Sequence, residues 1–194
     1  MKKIVFLAAV AAMVLCSCSQ EGWSKEEVDI IMNQGEVMRV LTVRNQEDST
    51  VLRKISTDIP AKALRGEEFR ILSRKMIATV TSPEQDGVGI AGPQVGISRR
   101  VVAVQRFDKE GEPFEVYPNI RILERRGEPQ LGPEGCLSVP DCRGDVLRYR
   151  EIDIRYTALP SGKDTTETVK GFTAVIFQHE CDHLDGILYT DYLN

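Results

Sequence analysis

Apolar positions fall into several distinct patterns along the chain. The first is continuous: Lys2 and Lys3 precede an uncharged run from Ile4 to Leu15, which ends in Leu15-Cys16-Ser17-Cys18 before the composition turns polar. It is too short for an ordinary membrane-spanning helix and has the layout of a secretory signal. From Gln20 to about Asp48 the pattern is weak and polar, which reads as a tether or irregular arm. Phe69, Leu72, Met76, Ile77 and Val80 recur at helical spacing behind Glu67 and Glu68, predicting a helix over 67–81 that Pro83 stops. Val101–Phe107 and 116–123 read as strands. Ile152, Ile154 and Tyr156 alternate with charged residues, predicting a half-buried strand, and Ser161-Gly162-Lys163-Asp164 reads as a turn. Phe172, Val175, Ile176, His179 and His183 share one face of a second long helix, ended by Asp185-Gly186. The glycine- and proline-rich stretches 87–96 and 132–144 read as shaped loops. Strands gathered between two helices predict an α+β domain, not alternating βαβ units.

Composition narrows the choice. Of 194 residues, 42% are hydrophobic and 28% charged, which is globular. The net charge is −4, or −6 without Lys2 and Lys3, which argues against non-specific nucleic-acid binding. Removing residues 1–17 leaves 177, enough for one domain with a sizeable core. Leu-x-small-Cys after an apolar run has the form of a bacterial lipobox, so the predicted layout is a signal at 1–17, Cys18 lipidated as the mature N-terminus, an arm over 18–39 and a catalytic domain over 40–194. This places the protein outside the cytosol on a lipid anchor; a cytoplasmic protein is the alternative. Beyond the signal, three cysteines remain, Cys136, Cys142 and Cys181, an odd number for a disulfide framework.

Only two histidines occur, His179 and His183, and chance would set two histidines four apart about one time in a hundred. At 3.6 residues per turn they share a face and can reach one cation, while Glu180 sits about 100° around the axis, where a general acid/base belongs. A catalytic divalent ion generally takes three protein ligands and keeps one open position. The third comes from Cys136, Cys142, Cys181 or a carboxylate. Cys181 points away from His179 on the helix; Cys136, behind Gly135, sits where backbone can approach an ion; Cys142 stays open. The Gly87-Val88-Gly89-Ile90-Ala91-Gly92-Pro93-Gln94 stretch lacks the features of a phosphate loop. It fits a backbone that pairs with an extended ligand, ending in the neutral amide of Gln94, suited to a developing oxyanion. The His-Glu-x-x-His helix alone also fits a metallopeptidase.

Taken together, residues 87–94, Glu134-Gly135-Cys136-Leu137-Ser138 and Gln178-His179-Glu180-x-x-His183 resemble the peptide deformylase family, in its order. Weaker likeness runs from about Val40 to Tyr192. Gly92 stands where the family has a second Ala, which is expected to loosen the loop slightly. The resemblance implies antiparallel or mixed sheets around a central helix carrying the histidines. It implies Cys136, His179 and His183 as ligands of one ferrous ion, with zinc, nickel or cobalt able to replace it. Glu180 would be the catalytic acid/base, Gln94 and the Leu137 N–H would bind the formyl oxygen, and Gly89 would bond the substrate main chain. Val88, Ile90, Phe172, Val175 and Ile176 would wall a methionine pocket, and Gln178 would orient the site from behind. The implied substrate is an N-formyl-methionyl peptide. A lipoprotein that keeps the fold for binding alone would be expected to lose Glu180, Gln94 or a ligand; all are present.

Overall fold

A computed structural model describes residues 22–193. It begins with a helix where the arm was expected. Ser24 accepts from the Glu27 N–H at 3.1 Å and Glu27 accepts from the Ser24 N–H at 2.7 Å, a capping box that opens α1 (Lys25–Asn33). Ile31 is fully buried, so the segment is packed and not a tether. Lys75 Nζ donates to the Ile31 and Gln34 carbonyls at 2.8 and 2.6 Å, placing a cation at the negative end of α1. Arg99 grips Glu27 with two nitrogens at 2.5 and 2.8 Å. Hydrophobic spacing alone missed this helix; the Ser-x-x-Glu signature was the legible signal.

Two short helices, α2 (Gln46–Leu52) and α3 (Ala61–Leu64), precede α4 (Glu67–Val80). Phe69, Leu72, Met76 and Val80 bury one stripe of α4, each side chain contributing about 1.5–3 kcal/mol of apolar burial. The strands follow: β1 (Gly89–Ala91), β2 (Val101–Gln105), β3 (Phe114–Pro118), β4 (Arg121–Arg126), β5 (Gln130–Cys136), β6 (Val139–Arg148), β7 (Glu151–Ala158) and β8 (Lys163–Lys170). Their ladders are antiparallel, in the sheets β1-β2-β3 and β4-β7-β8 and the ribbon β5-β6.

β2 explains the layering. Val101 and Ala103 pack in the cluster that holds α4, whereas Val102 and Val104 pack in the one that holds helix α5 (Gly171–Leu184). Successive strand side chains point to opposite faces, so an unbroken apolar run means a sheet covered on both. α5 meets β1-β2-β3 on one side and Ile152, Ile154 and Val169 of the second sheet on another. Most of its residues are buried, the polar Gln178, Glu180, Asp182 and His183 among them.

Two expectations about the strands change. The stretch 132–144 is not a loop: it forms most of the β5-β6 ribbon, with Pro133 opposite Asp145 and Glu134 opposite Gly144. A two-stranded ribbon leaves one side of each strand unpaired, so a proline without an N–H is tolerated. The stretch 116–123 is not one strand. Asn119, at φ +57°, breaks it between two sheets, and its side chain pairs with the Ile59 backbone at 2.7 and 3.1 Å. β8 had no apolar signal because it is a polar edge strand, which blunts edge pairing. Among the described residues no helix is long and apolar enough to cross a membrane. The lipobox and Cys18 lie outside the described residues.

Candidate active site

α5, the turn joining β5 to β6, and β1 line a cleft of about 790 Å³. Residues 179 and 183 lie one turn apart on α5, their ring centroids 5.0 Å apart. Cys136, at the end of β5, brings its Sγ to 3.2 Å from His183 Nε2. One donor atom each from Cys136, His179 and His183 lies within 4.8 Å of the others, so this set can hold an ion. A thiolate with two imidazoles suits a borderline divalent metal. Cys181 faces the core, and burial pushes its thiol up to about 12. Cys142 lines the cleft outside this cluster.

Behind the donors lies a network that sequence reading missed. Glu134 Oε2 pairs with His179 Nδ1 at 2.8 Å, leaving Nε2 to face the cluster. Arg148 grips Glu134 at 2.7 and 3.1 Å and Asp182 at 2.6 Å, all three buried. Burial pushes Glu134 up, but His179 and Arg148 outweigh it and hold the carboxyl near 2. For His179, burial opposes the charged ring, yet Cys136 and Glu134 raise it to about 10. A site that favours a positive charge this strongly favours a metal cation in its place. Burial and the His179 charge keep His183 neutral, the form that ligates. The signal for Glu134 was its place in Glu-Gly-Cys; nothing local announced Arg148.

Glu180 is buried beside the donors, and Oε2 has no hydrogen-bond partner. Burial pushes its carboxyl up to about 7; His179 pulls it down and Glu134 pushes it further up. A carboxyl poised near neutrality can both take and return a proton. Gln94 is held in one orientation. Its Oε1 accepts the Ala91 N–H at 2.8 Å, which turns Nε2 toward Ser138 Oγ at 3.2 Å and Cys136 Sγ at 3.7 Å. The donor end of the amide therefore faces the cluster. Leu137 lines the cleft beside it.

Gly89 lies against α5: a Cβ there would sit 2.5 Å from Glu180 Oε1 and 2.8 Å from Ile176 Cγ2. Among the described residues β1 pairs only with β2, so its other edge can meet an extended ligand. Val88, Phe172, Val175 and Ile176 line the cleft as expected. Ile90 does not. It is fully buried in the cluster with α4, because strand alternation turns it away from α5 when Gly89 and Ala91 face it. Gly92 is also not a loosening substitution, since a Cβ would fall 2.7 Å from the Arg99 and Ile97 carbonyl oxygens. Gln178 touches no donor. It clamps α5 to the β6–β7 link through the Tyr149 N–H at 3.1 Å and carbonyl at 2.7 Å.

Fold and cleft together define an α+β protein with a Cys-His-His donor set, a buried carboxyl and an oriented amide around one cavity. A model of the polypeptide deformylase family matches residues 37–194, and the chain belongs to that family. It is 40% identical over 149 residues to the peptide deformylase of Symbiobacterium thermophilum, covering 75% of this chain and 64% of that one. It is 36% identical to that of Leptospira biflexa, covering 81% and 88%. The class I type b peptide deformylase of Acinetobacter baumannii, solved with Met-Ala-Ser bound, superposes with a TM-score of 0.70 at 39% identity, covering 80% and 98%.

Proposed function

We propose that the chain is a metal-dependent hydrolase that removes the formyl group from N-formyl-methionyl peptides, releasing formate and a free N-terminus. The observation that carries this reading is the convergence of Cys136, His179 and His183 with Glu180 and the Gln94 amide at one cleft. Cys136 at the end of β5, with His179 and His183 on the central helix carrying His-Glu-x-x-His, would hold one ferrous ion, replaceable by zinc, nickel or cobalt. When bound, the ion supplies Lewis acidity toward water and the formyl oxygen.

The protein's own groups do the rest. An extended substrate pairs with the free edge of β1 at Gly89 and lays its first side chain toward Val88, Phe172, Val175 and Ile176. Glu180 takes a proton from the attacking water as its oxygen bonds to the formyl carbon. Gln94 Nε2 and the Leu137 N–H donate to the oxygen that gains charge. Glu180 passes the proton to the amine nitrogen as the C–N bond breaks.

The catalytic domain spans 40–194, and residues 1–17 are a lipoprotein signal that leaves Cys18 acylated and the protein on a membrane outside the cytosol. The purified protein, loaded with ferrous iron without air, should release formate from formyl-Met-Ala-Ser far faster than it cuts any internal bond. Internal cleavage with the formyl group left in place would make it a metallopeptidase.

A further inference from the structure

Gly186 lets the chain fold back at the end of α5. It sits at φ +72°, and a Cβ there would fall 2.5 Å from the Arg53 carbonyl oxygen. The Ile187 N–H returns to the Asp182 carbonyl at 2.9 Å, and the Leu188 N–H donates to Asp191 at 3.0 Å. Arg53 in turn holds Asp191 through Nη2 at 2.9 Å. These bonds fix a 3₁₀ turn, Tyr189–Tyr192. The reversal carries the Tyr189 ring back over α5. It stacks on His179, with centroids 5.9 Å and planes 29° apart.

Tyr189 is 1% exposed. It packs with Val139, Val146 and Leu188, and Cys136 and Cys142 rest against the same cluster. Its hydroxyl has no hydrogen-bond partner. Burial, and then the Cys142 sulfur beside it, hold the phenol above its ordinary range, so it stays neutral. A buried hydroxyl without a partner costs stability, so the hydroxyl is not what recommends this residue. The face of the ring is.

Glu134 holds His179 at a single atom, Nδ1, at 2.8 Å. A ring held at one atom can still tilt about that bond. The lone pair of Nε2 lies in the ring plane and tilts with it, and a metal bond needs that lone pair aimed at the ion. His183 meets the His179 ring edge-on, at 75°, which leaves the faces uncovered. Tyr189 covers one of them. The face of an aromatic ring is also electron-rich, so it attracts an imidazole polarised by a bound cation. An aliphatic side chain of similar bulk offers no such attraction and no flat surface.

We propose that Tyr189 is a positioning residue for the metal centre: its ring, stacked on His179, sets the plane in which Nε2 meets the ion. Glu134 fixes one atom of the imidazole and Tyr189 fixes its tilt. This rests on Cys136, His179 and His183 holding a metal, as the proposed function requires.

Cobaltous ion is the probe, because its visible absorption reports ligand geometry. Full-length protein in detergent is stripped of metal and titrated with cobalt against a chromophoric chelator, as wild type, Tyr189→Phe, Tyr189→Leu and Tyr189→Met. Loss of a group that orients a ligand typically weakens metal binding about 10- to 100-fold. Tyr189→Leu and Tyr189→Met should therefore bind cobalt about tenfold or more weakly and shift its visible bands. Tyr189→Phe keeps the ring and should restore both. Should the leucine variant not fold, the methionine variant decides alone. A residue that only fills the core would lower the urea midpoint of the metal-free variants and leave the affinity and the bands as in wild type. A loss under about threefold with unchanged bands overturns the proposal, and so does a Tyr189→Phe variant as weak as the aliphatic ones. Formate release from formyl-Met-Ala-Ser is measured on the same preparations. Formate without the affinity shift sinks only the role of Tyr189; the affinity shift without formate sinks only the deformylase reading.

Discussion

Glu180 and Cys136 carry the sharpest residue-scale predictions because both act at the same cavity in different ways. Glu180 is buried with a free Oε2 and belongs to no donor set. Glu180→Gln should keep metal content near normal and lose about 10²- to 10⁴-fold in kcat, the usual contribution of a general acid/base. Elemental analysis of the purified variant decides this: an empty site would make Glu180 a ligand. Cys136→Ser should empty the site, since a neutral hydroxyl is a much poorer ligand than a thiolate. Cys142→Ser and Cys181→Ser should stay loaded, because neither sulfur belongs to the cluster. A loaded Cys136→Ser beside an empty Cys142→Ser would move the third ligand to residue 142. His179 and His183 were legible at this scale, since a spacing of four on a helix fixes a shared face. The Glu134–His179 pair was not, because it joins residues 45 positions apart.

At the scale of elements, Arg148 matters most: it ties the β5-β6 ribbon to α5 through Glu134 and Asp182. Glu134 is held near 2 against an ordinary 4.5, so its folded state favours the ionised form. The sign follows directly. A depressed folded value contributes stability that is fully present above pH 4.5 and is lost as pH falls toward 2. Of order 3 kcal/mol is at stake, shared with its partners His179 and Arg148. Urea midpoints of the wild type should therefore fall steeply between pH 4.5 and 2.5. Glu134→Gln should start lower at pH 7 and fall less over that interval. Parallel curves for the two proteins would show that this network does not set the acid limit. Helix α1 is the element that periodicity undervalued. Besides Ile31 in the core, Ser24, Lys75 and Arg99 hold it in place, and two of these lie far along the chain.

At the scale of the whole molecule, the place where it works is tested through Cys18. The family match starts at residue 37, yet α1 begins at Lys25 and is packed against the domain. The described fold therefore includes a helix N-terminal to the family match. In a native host the protein should partition with membranes and carry acyl chains on Cys18. Cys18→Ser should abolish the lipid while formate release persists. A soluble product that retains Met1 would return the protein to the cytosol.

Sequence alone determined what depends on local spacing. The two long helices, the shared face of His179 and His183, the offset of Glu180 and the α+β class all follow from periods of 3.6 and 2 within one element. The motifs at 87–94, 134–138 and 178–183 carried the family. The tertiary structure brought Cys136, which its motif had already singled out, against the histidines, and it alone decided which end of the Gln94 amide faces them and that Ile90 turns from the cleft. It also set the ribbon where glycines and prolines had suggested a loop. These outcomes depend on strand register and on contacts between residues tens of positions apart. Such pairings are chosen by packing the whole core at once, and no local period records them.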